Sequence, residues 1–470
     1  MGNDLGDKMI TTMNKYLRAA TFAATAFIAS TPVVAEDLLS IYTLAKQNDP
    51  AYLMGLNQHG ASSEVVIQAR AGLLPTIALT ASHSDTSQDI ISSDNAVFEK
   101  GSDQFPTDNY YLSLTQSIYS YSNWKRFGKA KEELKRVDAE LETVEQDLLL
   151  RTAERYFAVL AVQEDYSAIN SEKASVGQHL RVIKAKRESG QVRRTDLLDA
   201  QARYMQTLSR ELEIKSRLKD AMEMLRELTG EPAGALKTLG EMALERPEPS
   251  DPKAWFDQAV QYNPEMKIRR FAMAAAEQEI KLRKGGHYPT VDLEINVGNE
   301  VKKGTLFGGG SDIDEQIIAL NFNIPIYSGG IVSSRVREAV KLHSRTKDEL
   351  ELETRAVQRQ TFSTYDGVLT DISKIEALKK SVEAYELGVE AKSIGFESGL
   401  TNSLTVLDAE RDLFFARSEH ARARYGYILN GLRLKRAVGI LTAADLESIN
   451  TNLNGKEVRV AYADTGAGSY

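Results

Sequence analysis

Carboxylates are the residues whose spacing points to chemistry in this chain of 470 residues. Asp196 and Asp199 follow Gly190, and Asp408 follows Gly399 at the spacing that separates Asp199 from Gly190. Acids so placed can start a helix, since they favour its positive end; Thr195 and Ser403 are further helix-start residues beside them. Repeated around a symmetry axis, the same acids would form rings that attract cations. Other chemistries find little support. The chain has no cysteine, so it has no disulfide, thiolate metal site or thiol nucleophile. The six histidines (His59, His83, His179, His287, His343, His420) are scattered and form no HExxH-type ligand pair. Gly308-Gly309-Gly310 is not followed by lysine and serine, so it reads as a strand-connecting loop rather than a phosphate cradle. No paired catalytic groups mark a secreted hydrolase. The expectation is no enzyme activity, no cofactor and no metal. A net charge of −8 gives no general attraction to nucleic acid or anionic lipid.

The elements that position these acids begin after an export signal. Met13-Asn14-Lys15-Tyr16-Leu17-Arg18 is a basic start, Ala19 to Ser30 an apolar run, and Val33 and Ala35 suit a small-residue cleavage rule. The run is too short to span a bilayer. Residues 1–35 are therefore read as a signal peptide, with Met13 as the natural start. No later stretch has the length and apolarity of a membrane-spanning helix, so any membrane residence requires a closed β-barrel.

The mature chain repeats itself. Asn48-Asp49-Pro50 matches Tyr262-Asn263-Pro264, and Leu74-Pro75-Thr76 matches Tyr288-Pro289-Thr290, both displaced by 214 residues. Ser117-Ile118-Tyr119-Ser120 matches Pro325-Ile326-Tyr327-Ser328 at 208. Leu198-Asp199-Ala200 matches Leu407-Asp408-Ala409 at 209, as do Gly190 with Gly399 and Gly230 with Gly439. Residues 36–250 form the first repeat and 251–450 the second, joined at Glu245–Pro252; 451–470 read as a flexible tail.

Each repeat reads helix, strand, loop, strand, long helix, turn, helix. Strands are expected at about 75–88, 107–119, 289–300 and 314–327 from period-2 alternation. Val291, Leu293, Ile295 and Val297 alternate with Asp292, Glu294, Asn296 and Gly298, for example. This alternation suits an outer-membrane barrel strand and equally a soluble half-buried sheet; the export signal tips the reading to membrane. No proline falls between Pro106 and Pro232 or after Pro325. Asn123–Ser189 and Gly330–Ser398 can each therefore run as one helix of roughly 100 Å. Leu134, Leu141 and Leu148 with Val137 and Val144 make an apolar heptad seam; Val336, His343, Leu350 and Val357 make a less regular one. Trp124, just after a strand, fits the periplasmic membrane boundary. Four strands per chain cannot close a barrel, which needs eight or more, so several chains must pool them; two or three copies both suffice.

Leu114-Thr115-Gln116-Ser117-Ile118-Tyr119 with Ser122-Asn123-Trp124 resembles the strand-to-helix passage of the TolC family of outer-membrane factors, also called outer membrane efflux proteins. So do Ile324–Gly330, where Pro325, Gly329 and Gly330 make the transition, the turn Val406-Leu407-Asp408-Ala409, and Ala421–Tyr427. The resemblance spans about Glu36 to Asn450. It implies a mixed α and β membrane protein: a homotrimer with a twelve-stranded outer-membrane β-barrel, continued by a twelve-helix periplasmic α-barrel, with a small mixed α/β equatorial region. It implies a passive export duct of a Gram-negative outer membrane, serving tripartite efflux, type I protein secretion or both. Its partners would be outer-membrane lipid, a periplasmic adaptor (membrane fusion) protein and an inner-membrane transporter of RND, MFS or ABC type. The adaptor would dock at the tip turns marked by Gly190 and Gly399. Aspartate rings at the mouth map to Asp196, Asp199 and Asp408. Gate contacts map near Thr195, Phe396, Thr401 and Thr405. Thr195, Asp196 and Asp408 keep the family's residue types. Phe396 stands where the family often has a tyrosine, Thr401 where it has an arginine and Thr405 where it has a mouth aspartate. The closing bonds must therefore differ here, and Arg193 and Arg194 are the nearby candidates for the missing cation. The competing reading is a periplasmic coiled-coil scaffold or adaptor without a pore, which accounts for the helices but not for four strands sized for a bilayer.

Overall fold

The computed structural model describes residues 36–92, 101–304, 309–398, 400–455 and 457–459. The signal segment and Gly399 lie outside the described residues. The first repeat carries α1 (Leu38–Asn48), α2 (Pro50–Ala71), β1 (Thr76–Ile90), β2 (Gly101–Ser120), α3 (Tyr121–Glu188), α4 (Arg194–Thr229) and β3 (Ala235–Lys237). The second carries α5 (Pro252–Tyr262), α6 (Pro264–Lys284), β4 (Thr290–Lys302), β5 (Ser311–Asn323), α7 (Ile331–Glu397) and α8 (Ser403–Val438); α9 (Ala443–Asn450) and β6 (Glu457–Arg459) follow.

Local chemistry starts and stops these elements in matching ways. The Asp49 carboxylate accepts the Tyr52 N–H to start α2, and the Asn263 carboxamide accepts the Met266 N–H to start α6; each helix has proline in its first turn. Without interior proline, α3 and α7 run for 68 and 67 residues. At 1.5 Å per residue each is roughly 100 Å long.

The strands form one antiparallel sheet in the order β1-β2-β4-β5, so the two repeats meet at β2·β4. The helices keep that order: α2 packs on α3, α3 on α6, and α6 on α7. Further along, α4 packs on α3, α8 on α7, and α8 on α3. The main core lies near the middle of the long helices, around Leu38, Tyr156, Phe157, Leu160, Leu225 and Leu446. A second core, around Trp255, Tyr365, Val368 and Val438, ties α5 to α7 and α8. Trp255 is buried and donates to the Pro249 carbonyl, while Trp124 is exposed in the first turn of α3, next to the end of β2.

Two expectations are corrected. The last strand ends at Asn323, not at 327, because among the described residues no strand lies beside Ile324–Ser328. The expected flexible tail from 451 is not free in its first part. Leu453 is buried in the main core, the Gly455 N–H donates to the Thr238 carbonyl, and β6 pairs with β3. Burial of Leu453 outweighs the polar composition around it.

Candidate functional site

The sheet has two chemically different faces, because residues paired across antiparallel strands point to the same side. Leu79 faces Leu112, Leu112 faces Val297, and Leu293 faces Leu320. Ile77, Leu114, Ile295, Ile318, Val291 and Phe322 extend this surface across all four strands. Much of it is exposed: Ile77, Leu79, Leu112, Ile318, Leu320 and Phe322 are each about half exposed or more. An exposed apolar patch spanning a whole sheet needs lipid or protein against it. The opposite face carries Thr80, Ser113, Thr115, Glu294, Asn296 and Asn321, and the Glu294 carboxylate accepts from both asparagines. Strands of 13 residues, at about 3.3 Å each, are long enough to cross a ~30 Å hydrocarbon layer even when tilted.

Below the sheet the path continues along helices. Gly329 and Gly330 both adopt left-handed backbone, with φ of 60° and 80°. Two such residues in succession lead the chain into α7, whose N-cap is Gly330, and only glycine takes this conformation without strain. Pro325 sits in the connecting stretch just before them.

The seam between the repeats is a ladder of charge. Along α3 stand Asp147, Glu154 and Asp165; along α8, antiparallel to it, stand Arg436, Arg433 and Arg422, paired with them in that order. Asp165 also accepts from the Ser418 hydroxyl at 2.5 Å. Further toward the tip, buried Glu172 accepts from the Thr207 hydroxyl and from Arg210, both on α4. Burial holds the Glu164 carboxyl above its ordinary range despite its bond from Tyr425 and the nearby Arg424.

The ladder ends in a reversed rung. Arg203 on α4 donates to the Asp408 carboxylate on α8 at 2.5 Å, and Arg411 lies 3.4 Å from the same oxygen. Among the described residues, no side-chain bond between the repeats lies nearer the tip. Asp196 instead accepts the Arg193 backbone N–H at 3.0 Å, closing the first turn of α4. Asp199 is exposed and has no ion pair among the described residues. Arg193 and Arg194 are exposed at the start of α4, also without an ion pair there. Thr195 is exposed; its hydroxyl lies 3.5 Å from Asp196. Thr405 bonds through both its N–H and its hydroxyl to the Asn402 carboxamide, the cap of α8. The Thr401 N–H donates to the Gly395 carbonyl, closing that turn on itself, and Phe396 is part-exposed beside it. Gly190 ends the first turn in left-handed backbone, φ 74°, while Gly399 falls outside the described residues.

The structure thus gathers Asp408 with Arg203 and Arg411, and leaves the other tip residues on their own turns. Sequence reading missed both arginines. One local signal existed: Arg411 lies three residues after Asp408, on the same helical face. Arg203 lies 205 residues before Asp408, and no local signal joins them.

A sheet apolar on one side and polar on the other, with open edges and a helical extension of about 100 Å, is what one share of a membrane duct requires. The family model described as "Outer membrane efflux protein" matches residues 41–231 and 255–440. The outer membrane protein TolC of Vibrio cholerae is 30% identical over 445 residues, covering 94% of this chain and 99% of that protein. The alkaline protease secretion protein AprF of Pseudomonas aeruginosa is 28% identical, covering 88% of this chain and 87% of its own. The crystal structure of the Campylobacter jejuni CmeC outer membrane channel shares the fold, with a TM-score of 0.75 at 15% identity, over 89% of this chain and 90% of that one. The chain belongs to the outer membrane efflux protein family. It is an efflux channel of a Gram-negative outer membrane, and the poreless scaffold reading is set aside.

Proposed function

We propose that three copies pool their strands into one twelve-stranded barrel and their long helices into a twelve-helix tunnel across the periplasm. The observation that carries this reading is the open-edged sheet with one apolar and one polar face. Each chain supplies four strands, and unpaired edges in hydrocarbon are prohibitively costly. Two copies would make eight strands, a barrel whose interior side chains nearly fill. Three copies make the next size that whole chains can build, wide enough for a duct. Mass measurement in mild detergent is expected to give three chains; a stable dimer or monomer sinks the reading.

The duct is passive. Its periplasmic tip closes through bonds between the repeats, and an adaptor docking at the Gly190 and Gly399 turns, with an inner-membrane transporter of RND, MFS or ABC type, opens it. The rung from Arg203 to Asp408 is the tip closure this chain uses in place of bonds from Phe396 and Thr401. The kinship with a protease-secretion protein supports protein export beside efflux of small molecules.

Mouth charge follows from the same geometry. Three copies place Asp196, Asp199 and Asp408 around one axis, and the purified channel is expected to be cation-selective in a planar bilayer. Asp408 is neutralised by two arginines and Asp196 is engaged in its helix cap, which leaves Asp199 as the acid free to bind a passing cation. Multivalent cations on the periplasmic side are expected to block current, and Asp199→Ala should weaken the block more than Asp408→Ala. Block unchanged in the triple alanine variant of Asp196, Asp199 and Asp408 would reduce these acids to helix starts.

A further inference from the structure

In the second repeat the apolar face of the sheet ends, toward the helices, at the row where Val291 faces Phe322. Just beyond that row lies a cleft of about 480 Å³, lined by Lys284, His287, Tyr288, Ser333, Val336 and Arg337. Lys284 ends α6, His287 and Tyr288 lead into β4, and the other three stand on the first two turns of α7. Arg337 lies roughly 10 Å down α7 from its start. The cleft therefore opens at the level of the lipid head groups, a layer about 5–8 Å deep on each side of the hydrocarbon. Lower on the same helices, Arg270 donates to the Val260 carbonyl and Tyr365 to the Ser250 carbonyl, which holds α5 and the joint before it against them. Arg270 and Lys284 are two heptads apart, Arg337 and Tyr365 four, so the cleft and α5 share one side of the wall. On the inner side α5 would plug the duct, so this side faces outward.

Cations dominate the cleft. Lys284, His287 and Arg337 are exposed, and none makes an ion pair among the described residues. Glu277, one heptad before Lys284, is already paired with Lys281 at 2.7 Å. Tyr288 is braced by Tyr121, their ring centroids 4.7 Å apart, and Lys125 lies over the Tyr121 ring. Tyrosine at this depth suits the boundary between lipid and water. The first repeat differs. Displaced by 214 and 209 residues, the lining positions become Arg70, Leu73, Leu74, Trp124, Phe127 and Gly128. Apolar and aromatic side chains thus stand where the second repeat has cations and hydroxyls. Both repeats meet the same edge of the bilayer, so general contact with lipid requires no such difference.

We propose that this cleft binds the phosphate of one anionic phospholipid of the periplasmic leaflet. This rests on the reading that the strands close into a barrel within the bilayer. Lys284 from α6 and Arg337 from α7 meet the phosphate oxygens, as basic pockets at membrane surfaces do for anionic head groups. His287 adds a ring N–H, and the Tyr288 and Ser333 hydroxyls donate to phosphate or glycerol oxygens. The acyl chains run upward over Val291 and Phe322 onto the apolar face. The head group bridges α6 and α7 just below the barrel. Free phosphate offers the same oxygens without the chains.

The test uses full-length protein in mild detergent, stripped of lipid that purifies with it. Phosphatidylglycerol, zwitterionic phosphatidylcholine or inorganic phosphate is added, and bound lipid is counted by native mass spectrometry. One phosphatidylglycerol per chain is expected, held about tenfold more tightly than phosphatidylcholine and not displaced by millimolar phosphate. Lys284→Glu and Arg337→Glu should each weaken it about tenfold, and the milder Lys284→Gln about threefold should charge reversal disturb the oligomer. Arg70→Glu, at the equivalent place in the first repeat, should leave binding unchanged. Equal retention of the two lipids, or a loss in Arg70→Glu as large as in Lys284→Glu, overturns the site. Displacement by inorganic phosphate overturns the lipid and leaves a site for free anions. The same spectra give the mass of the assembly. An oligomer without tightly held phosphatidylglycerol sinks this proposal alone, whereas a single chain in the unaltered protein sinks the reading beneath it.

Discussion

Arg203→Glu is expected to hold the channel open. In the native chain this guanidinium donates to Asp408 and ties α4 of the first repeat to α8 of the second. It is the last such tie before the tip among the described residues. Arg203 is 20% and Asp408 41% exposed, so solvent screens the pair and its worth is about 1 kcal/mol per chain. In the proposed trimer, three such pairs acting on one opening amount to about 3 kcal/mol, roughly a hundredfold shift between closed and open states. The glutamate also adds repulsion, since it would face Asp408 in place of the cation. Arg411, 3.4 Å from Asp408, sits on the same helix and cannot tie the repeats together. Single-channel recording in planar bilayers should show a mostly open channel for Arg203→Glu. The exchange Arg203→Asp with Asp408→Arg should return it toward the closed conductance. Closed behaviour in Arg203→Glu would mean that the gate is held elsewhere, with Arg193 and Arg194 again the nearest cations in sequence.

Leu293→Arg is expected to prevent assembly in the outer membrane, whereas Asn296→Arg on the same strand is expected to be tolerated. Leu293 pairs with Leu320 and belongs to the apolar face; Asn296, an odd number of residues further on, belongs to the other. An arginine facing lipid costs up to about 2–4 kcal/mol, the full amount at the bilayer midplane. In the proposed trimer this rises to as much as roughly 6–12 kcal/mol, comparable to the whole stability of an ordinary domain. At Asn296 the new guanidinium would lie beside Glu294, which already accepts from that side chain. The measurement is the fraction of protein recovered as heat-resistant oligomer from outer membranes. Equal loss in both variants, or greater loss for Asn296→Arg, would mean that the faces have been assigned the wrong way round.

Local rules reached far in this chain because its architecture is built from regular elements. Lack of proline and the heptad seam around Leu134, Leu141 and Leu148 are properties of neighbouring residues, and one helix from Tyr121 to Glu188 follows from them. Alternation along Val291–Val297 defines two faces without any knowledge of pairing, since successive side chains in a strand point to opposite sides. The doubled motifs at Pro50 and Pro264 predicted equivalent units, and the caps at Asp49 and Asn263 are such equivalents in detail.

What needed the tertiary structure was every pairing between distant segments. Proximity in sequence points to Arg193 and Arg194 as cations for the tip, but neither is brought to Asp408. The cation on Asp408 is Arg203, because the packing of α8 against the first repeat brings together residues 205 positions apart. The same packing sets the acids of α3 against the arginines of α8, a match invisible in either helix alone. Where β5 stops also depends on a neighbour: a strand lasts only as long as another pairs with its backbone groups, and for Ile324–Ser328 none exists among the described residues. By itself, then, the sequence determined elements, faces and repeats, which depend on short-range sterics and the period of apolar residues. Only the tertiary structure decided which charges meet and which edges stay open, because those depend on distances that chain order does not encode.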